Sequence, residues 1–167
     1  MTMSRRRTAF VLTAGTLAAL ATAPLVTAAE PAVKSGSASG TFAAGGKTAK
    51  LAYAAAFTDQ RDDKKPVVLV LSDKEVPAST FRDGSDFSAW RREHKVMGIA
   101  FWLDAKSEPY RTDFYDGTSF PTSASGLFDL KVARAAGSLT GTAKSNAAAA
   151  KLHDPVTLDA TFNAPVK

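Results

Sequence analysis

Apolar side chains recur at every second position through long stretches of this chain. Val156, Leu158, Ala160 and Phe162 alternate with Thr157, Asp159, Thr161 and Asn163, and Phe128, Leu130 and Val132 alternate with Asp129 and Lys131. A period of two sends successive side chains to opposite faces of an extended backbone. Leu51, Tyr53, Ala55 and Phe57 repeat the pattern against Lys50, Ala52, Ala54 and Ala56. Alanine favours helix, so this third segment has a rival reading. Its larger side chains share one face only if the chain is extended, so the spacing predicts a strand with those four residues on one side.

Other strands announce themselves differently. Val67-Val68-Leu69-Val70-Leu71 is an unbroken, β-branched apolar run and predicts a strand buried on both faces. In Val96 to Leu103, Met97, Ile99, Phe101 and Leu103 form one face, and Val96, Gly98, Ala100 and Trp102 the other. Neither face is polar, so both must be covered. The one good helix candidate precedes it. Ser85 or Asp86 can cap it, and Phe87, Trp90 and His94 recur at helical spacing up to Lys95. So short a helix needs a docking surface, and the neighbouring strand offers one. Gly45-Gly46, Asp116-Gly117 and Ala136-Gly137 mark turns, with further strands over Thr41–Ala43, Arg111–Tyr115 and Leu139–Ala143. Asn146 to Ala150 reads as a connection with a turn of helix. These elements predict an all-β fold: an antiparallel barrel or sandwich of about eight strands with one short helix.

The first 29 residues read differently from the rest. Arg5, Arg6 and Arg7 precede an uncharged run from Thr8 to Ala29 that ends in small residues. A basic start, an apolar middle and a small-residue cleavage site are the parts of a secretory signal peptide. Thr8-Ala9-Phe10 after the arginines fits twin-arginine export poorly, so the ordinary secretory route is expected. Residues 1–29 are thus expected to be removed, 30–38 to form a flexible tether, and 39–167 to form a single β domain in the periplasm or medium, with no membrane span after cleavage. The whole chain carries a formal +5, but 18 basic residues against 16 acidic remain once the leader is gone. Nucleic-acid binding needs positive charge on the mature surface, and +2 argues against it. The chain has no cysteine, so its stability must come from the core alone.

Catalytic and metal motifs are missing. Gly45-Gly46-Lys47-Thr48 resembles the end of a phosphate-binding loop, but Thr41 stands where the motif needs glycine. No Gly-x-Ser-x-Gly elbow occurs, and His94 and His153 are the only imidazoles. Two histidines so far apart make no local zinc pair. Asp62-Asp63, Asp83 with Asp86, and Asp116-Gly117 do not match the calcium loop and read as solvated turns. No catalytic residue, metal ligand or cofactor is therefore assigned. The aromatics are the best lead: Trp90, Trp102, Tyr110 and Tyr115 are candidate ligand-binding residues, with Phe114 beside them, against the competing reading of core packing. Arg91, Arg92 and His94 are candidate anion or surface contacts, against a solvated helix face.

Ser39-Gly40-Thr41-Phe42, Gly46-Lys47, Leu51 to Phe57, Val67 to Asp73 and Ala160-Thr161-Phe162-Asn163-Ala164-Pro165 together resemble a family of small, uncharacterised exported bacterial β proteins. The resemblance covers roughly Ser39 to Val166. It implies the β architecture and the exported location, and no activity. The leading expectation is a non-catalytic binding or interaction module at the envelope or secreted, with a protein, glycan or small molecule as partner. A small hydrolase-like enzyme is the alternative, expected to show acids converging in a pocket. An inhibitor of a secreted enzyme is a third, presenting Asp59 to Lys65 or Ser107 to Thr112 as a protruding loop.

Overall fold

The computed structural model describes residues 33–118 and 120–167. The leader read from residues 1–29 lies outside the described residues, as do the first residues of the expected tether. The described chain forms one antiparallel sheet of nine strands: β1 (Ser37–Ala44), β2 (Lys47–Thr58), β3 (Val67–Ser72), β4 (Met97–Leu103), β5 (Pro109–Asp116), β6 (Thr122–Ser123), β7 (Phe128–Ala135), β8 (Ser138–Ser145) and β9 (Thr157–Pro165). Their order in the sheet is β6-β5-β4-β3-β2-β1-β9-β8-β7. Eight of the nine follow from the alternation and the turns; β6 is two residues long and leaves no such trace. β1 begins at Ser37, two residues ahead of the expected start. The helix, α1, spans Gly84–Glu93 between β3 and β4.

The sheet curls into a half-barrel. The curl shows in side chains that meet across it: Phe42 of β1 reaches Phe114 of β5 at 5.9 Å, and Phe101 of β4 meets Phe128 of β7 at 6.3 Å. Leu51, Leu69, Leu71, Ile99, Phe101, Leu139, Leu158 and Phe162 fill this inner side. Removing each such side chain from water is worth about 1.5–3 kcal/mol. A second core lies on the other face, where Phe57, Val68, Val70, Ala100, Trp102 and Tyr115 pack under Phe87 of the helix. The two-sided burial expected of β3 and β4, and the docking of the helix on β4, are both found.

Two local expectations are corrected. Leu51 and Phe57 do not share a face: Leu51, Ala54 and Ala56 join the inner core, whereas Ala55 and Phe57 join the helix side. The pairing of β1 with β2 shifts register between Ser37 and Gly40, and the inward positions of β2 pass from odd to even there. A β-bulge breaks strict alternation in just this way. Gly40 sits at the shift because β9 comes close: a Cβ at this position would lie 2.0 Å from the Asp159 carbonyl oxygen.

The helix cap is also displaced by two to three residues. Asp83 is the N-cap, and its Oδ1 accepts from the Ser85 and Asp86 amides at 2.8 and 3.1 Å. Asp86 instead accepts from the Arg82 amide at 3.0 Å. At the other end His94 is the C-cap, exposed as expected of a solvated helix end. The Gly45-Gly46 turn has φ of +57° and +70°. Two positive φ values in a two-residue hairpin loop are the type I′ signature, and glycine adopts them without steric cost.

Candidate functional site

A cleft of about 270 Å³ opens where the end of β2, the start of α1 and the strands β4 and β5 converge. Its chemistry is that of buried charge. Asp59, Asp83 and Asp113 line it, and all three are buried. Arg61, Asp62 and Arg111 line it as well, with the Trp102 and Tyr115 rings. Two wider cavities, beside Tyr53 and Val76 and beside Leu127 and Leu152, are lined by no buried charged residue.

Each carboxylate is held by its own device. Asp59 follows the last residue of β2, and its Oδ2 accepts from the Gly84 amide at 3.0 Å while Oδ1 accepts from the Arg61 amide at 3.2 Å. It thereby ties the charged loop to the first turn of the helix. Asp113 lies two residues from Arg111 in β5, so both side chains fall on one face. Arg111 Nε and Nη2 donate to Asp113 Oδ2 at 3.0 and 2.5 Å. Asp83 divides its oxygens. Oδ1 caps α1 and also takes the Ser85 hydroxyl hydrogen bond. Oδ2 is buried and makes no hydrogen bond, although Arg61 Nε stands 2.7 Å from it as an ion pair. The Ser85 hydroxyl is the main influence holding the Asp83 carboxyl below its ordinary range. Burial opposes it, and the Asp86 and Ser85 amides and Arg61 add to it.

The aromatic candidates separate. Trp102 is 5 % exposed, with the Arg111 guanidinium 4.3 Å over its ring. Tyr115 is 2 % exposed, with the Arg91 guanidinium 4.4 Å over its ring. Both line the cleft, but as walls covered by cations rather than as open stacking surfaces. Trp90 does not line it. Its ring packs with Phe81 and Phe87 and stacks on His94 at 4.8 Å. Tyr110 is half-exposed, donates its hydroxyl to Asp62 Oδ2 at 3.1 Å, and lies under Lys64 at 5.6 Å. Burial, chiefly, and Asp62 push its phenol up to about 12.

The basic candidates separate too. Arg92 and His94 are exposed, whereas Arg91 is buried against Tyr115 and belongs to neither a solvated face nor an exposed anion site. Desolvation, above all, lowers the Arg91 pKa. His153 is fully exposed, 3.6 Å from Asp154. Among the described residues no group of three or more His, Cys, Asp or Glu is placed to hold a metal ion, and no helix is long and apolar enough to cross a membrane.

Sequence reasoning missed Asp59 and Asp113 and took Asp83 for part of a solvated turn, whereas it is the buried N-cap of α1. Asp113 carried a signal: an acid inside a strand that is otherwise buried demands a partner, and Arg111 stands at i−2. Asp83 carried a weaker one, as an acid at N-cap spacing from Asp86. Nothing local marks Asp59, whose partner Gly84 is distant in sequence.

The fold and the cleft together define a class: among the described residues, a mostly β protein with one curled antiparallel sheet, one α-helix packed on its outer face, and a charged cleft at the helix start. No protein-family model matches this chain, and neither the curated proteins nor the solved structures compared with it give a match.

Proposed function

We propose that this protein is a non-catalytic binding module of the exported space, and that its ligand enters the cleft at the start of α1. One observation carries the reading. Asp83 is 2 % exposed and lines the cleft, and its Oδ2, which makes no hydrogen bond, is matched by Arg61, whose side chain is 72 % exposed. A buried carboxylate oxygen whose partner comes from a solvated loop can take a donor from an incoming ligand in that partner's place. The curled sheet reads as an incomplete barrel that serves as a rigid frame for this edge site. The basic and apolar leader, and the resemblance to small exported bacterial β proteins, support the location.

Catalysis is the weaker reading. Acids do converge here, as a hydrolase would require. General acid work, however, needs a carboxyl able to hold a proton near the working pH. Asp83 is held the other way, and Asp59 and Asp113 are already tied to donors. The inhibitor reading loses part of its loop, because Pro109–Asp116 is strand.

The test uses Trp102 as reporter. The chain has two tryptophans, so a Trp90→Phe variant leaves Trp102 as the sole emitter. It is titrated with neutral saccharides, amines and inorganic phosphate, with amide NMR shifts followed in parallel. Saturable changes at Trp102, Gly84 and Ser85 with at least one class are expected. If no class moves these signals, the binding reading fails. Mass spectrometry of the exported product should give a chain beginning at Glu30.

A further inference from the structure

We infer that the cleft is a receptor for an organic cation, a guanidinium or primary ammonium group, and that Arg61 occupies it as a replaceable stand-in. The inference rests on the proposed binding role and names the chemistry of its ligand.

Charge favours a cation. Asp59, Asp62, Asp83 and Asp113 line the cleft against Arg61 and Arg111, four carboxylates to two guanidiniums. An anion would meet this excess at close range. A neutral sugar would want an open aromatic face, and Trp102 already carries Arg111 over its ring while Tyr115 carries Arg91. The walls thus show twice over how they receive a planar cation, by the attraction of a ring face for positive charge.

The position to be filled is next to Asp83 Oδ2. Its sister oxygen is consumed by the helix cap, so the local amides do not neutralise it further. Arg61 supplies the missing charge from a loop: its side chain is 72 % exposed, its Nε lies 2.7 Å from Oδ2, and its Nη1 donates to the Ser85 hydroxyl at 3.2 Å. Water screens the pair from the arginine side, and the long Arg61 side chain can swing into solvent when another cation takes its place. A ligand cation with two or more donors would meet Oδ2 and the Ser85 hydroxyl together, as Arg61 does now. The volume, about 270 Å³, lies just under the range of roughly 300–1,000 Å³ typical of drug-sized ligands. It suits a small amine or a single basic side chain.

Calorimetry and amide NMR on the mature domain test this with four probes: agmatine as a free cation, acetyl-Gly-Arg-Gly-amide as a chain-borne one, glucose as a neutral control and inorganic phosphate as an anion. The variants are Arg61→Gln and Asp83→Asn. Asparagine caps a helix as well as aspartate does, so the second variant removes charge and keeps the fold. Agmatine or the peptide should bind, the stronger of the two identifying the source. Affinity should rise in Arg61→Gln by up to about fivefold, the worth of a surface pair, and be lost in Asp83→Asn. Binding of glucose or phosphate with neither cation bound would overturn the cation inference while the binding role stands. Cation binding that Arg61→Gln weakens would overturn the stand-in role. Silence at the cleft with all four probes would sink the binding role itself.

Discussion

Arg61 Nε stands 2.7 Å from Asp83 Oδ2, yet the arginine side chain is 72 % exposed and the aspartate side chain only 2 %. The pair joins a solvated loop to the buried N-cap of α1. It makes the aspartate an anchor for two things at once, the helix cap and the cleft.

Substitution at Asp83 should separate those roles. Asp83→Ala removes the cap and should cost about 0.5–2 kcal/mol in urea unfolding. Asp83→Asn keeps the cap and gives up only the charge, so it should cost less than Asp83→Ala. The folded carboxyl lies below its ordinary value of 3.8. Its stabilising contribution is therefore complete above that value and fades as pH falls through the lower folded one. Melting temperatures between about pH 5 and pH 2 should drop more steeply in the wild type than in Asp83→Asn. Parallel curves would show that Asp83 is not held below its ordinary range.

Arg111 and Asp113 form the tighter of the cleft's ion pairs. Arg111→Ala leaves Asp113, 3 % exposed, without its guanidinium. A loss of about 1–3 kcal/mol is expected, the cost of an orphaned buried acceptor. Arg111→Lys should recover only part of it, since one ammonium cannot both chelate the carboxylate and cover the Trp102 ring as the planar fork does. A double-mutant cycle with Asp113→Asn should give a coupling of about 0.5–3 kcal/mol. Additive losses would show that the two side chains act independently.

Gly40 is set by the approach of β9. A Cβ there would lie 2.0 Å from the Asp159 carbonyl oxygen and 2.6 Å from the Ala160 Cα. Both contacts are backbone and cannot rotate away. Gly40→Ala should destabilise by about 1–3 kcal/mol or more in denaturant titration. Ser39→Ala, next to it and exposed, should stay within about 0.5 kcal/mol of wild type.

Burial ranks the phenylalanines. Phe101 is fully buried at the centre of the inner core, whereas Phe120 is 80 % exposed. Phe101→Ala should cost about 3–5 kcal/mol. Phe120→Ser should leave the unfolding midpoint nearly unchanged. A large loss at Phe120 would mean that it is covered in solution.

Tyr110 should titrate late. Its phenol is pushed up to about 12, by desolvation first and by the Asp62 hydrogen bond second. Ultraviolet titration of Asp62→Asn should bring this tyrosine down only in part, because the desolvation remains. Tyr110→Phe identifies the step by deleting it. A Tyr110 transition that Asp62→Asn leaves unmoved would remove the hydrogen bond from the account.

Much of the architecture was legible because strand periodicity is local. Val67–Leu71 and Val96–Leu103 announced burial on two sides, and both cores meet there. Trp90 and Phe87 marked the docking side of the helix for the same reason. The exchange of faces between Leu51 and Phe57 was invisible, since it depends on how β1 pairs with β2. β6 was invisible because two residues carry no period.

The cleft was not legible as a site. Its three buried acids come from the end of β2, the start of α1 and the middle of β5, and no local pattern shows that they converge. Burial gives them meaning, and burial is a property of the assembled chain. The same holds for the arginines: Arg91 and Arg92 are adjacent in sequence, yet one lies buried under a tyrosine ring and the other in water. The sequence by itself determined the β class, the helix and the turns, because side-chain alternation and glycine conformations act over a few residues. Only the tertiary structure decided which charges lost their water, because desolvation is imposed by whatever distant segment folds against them.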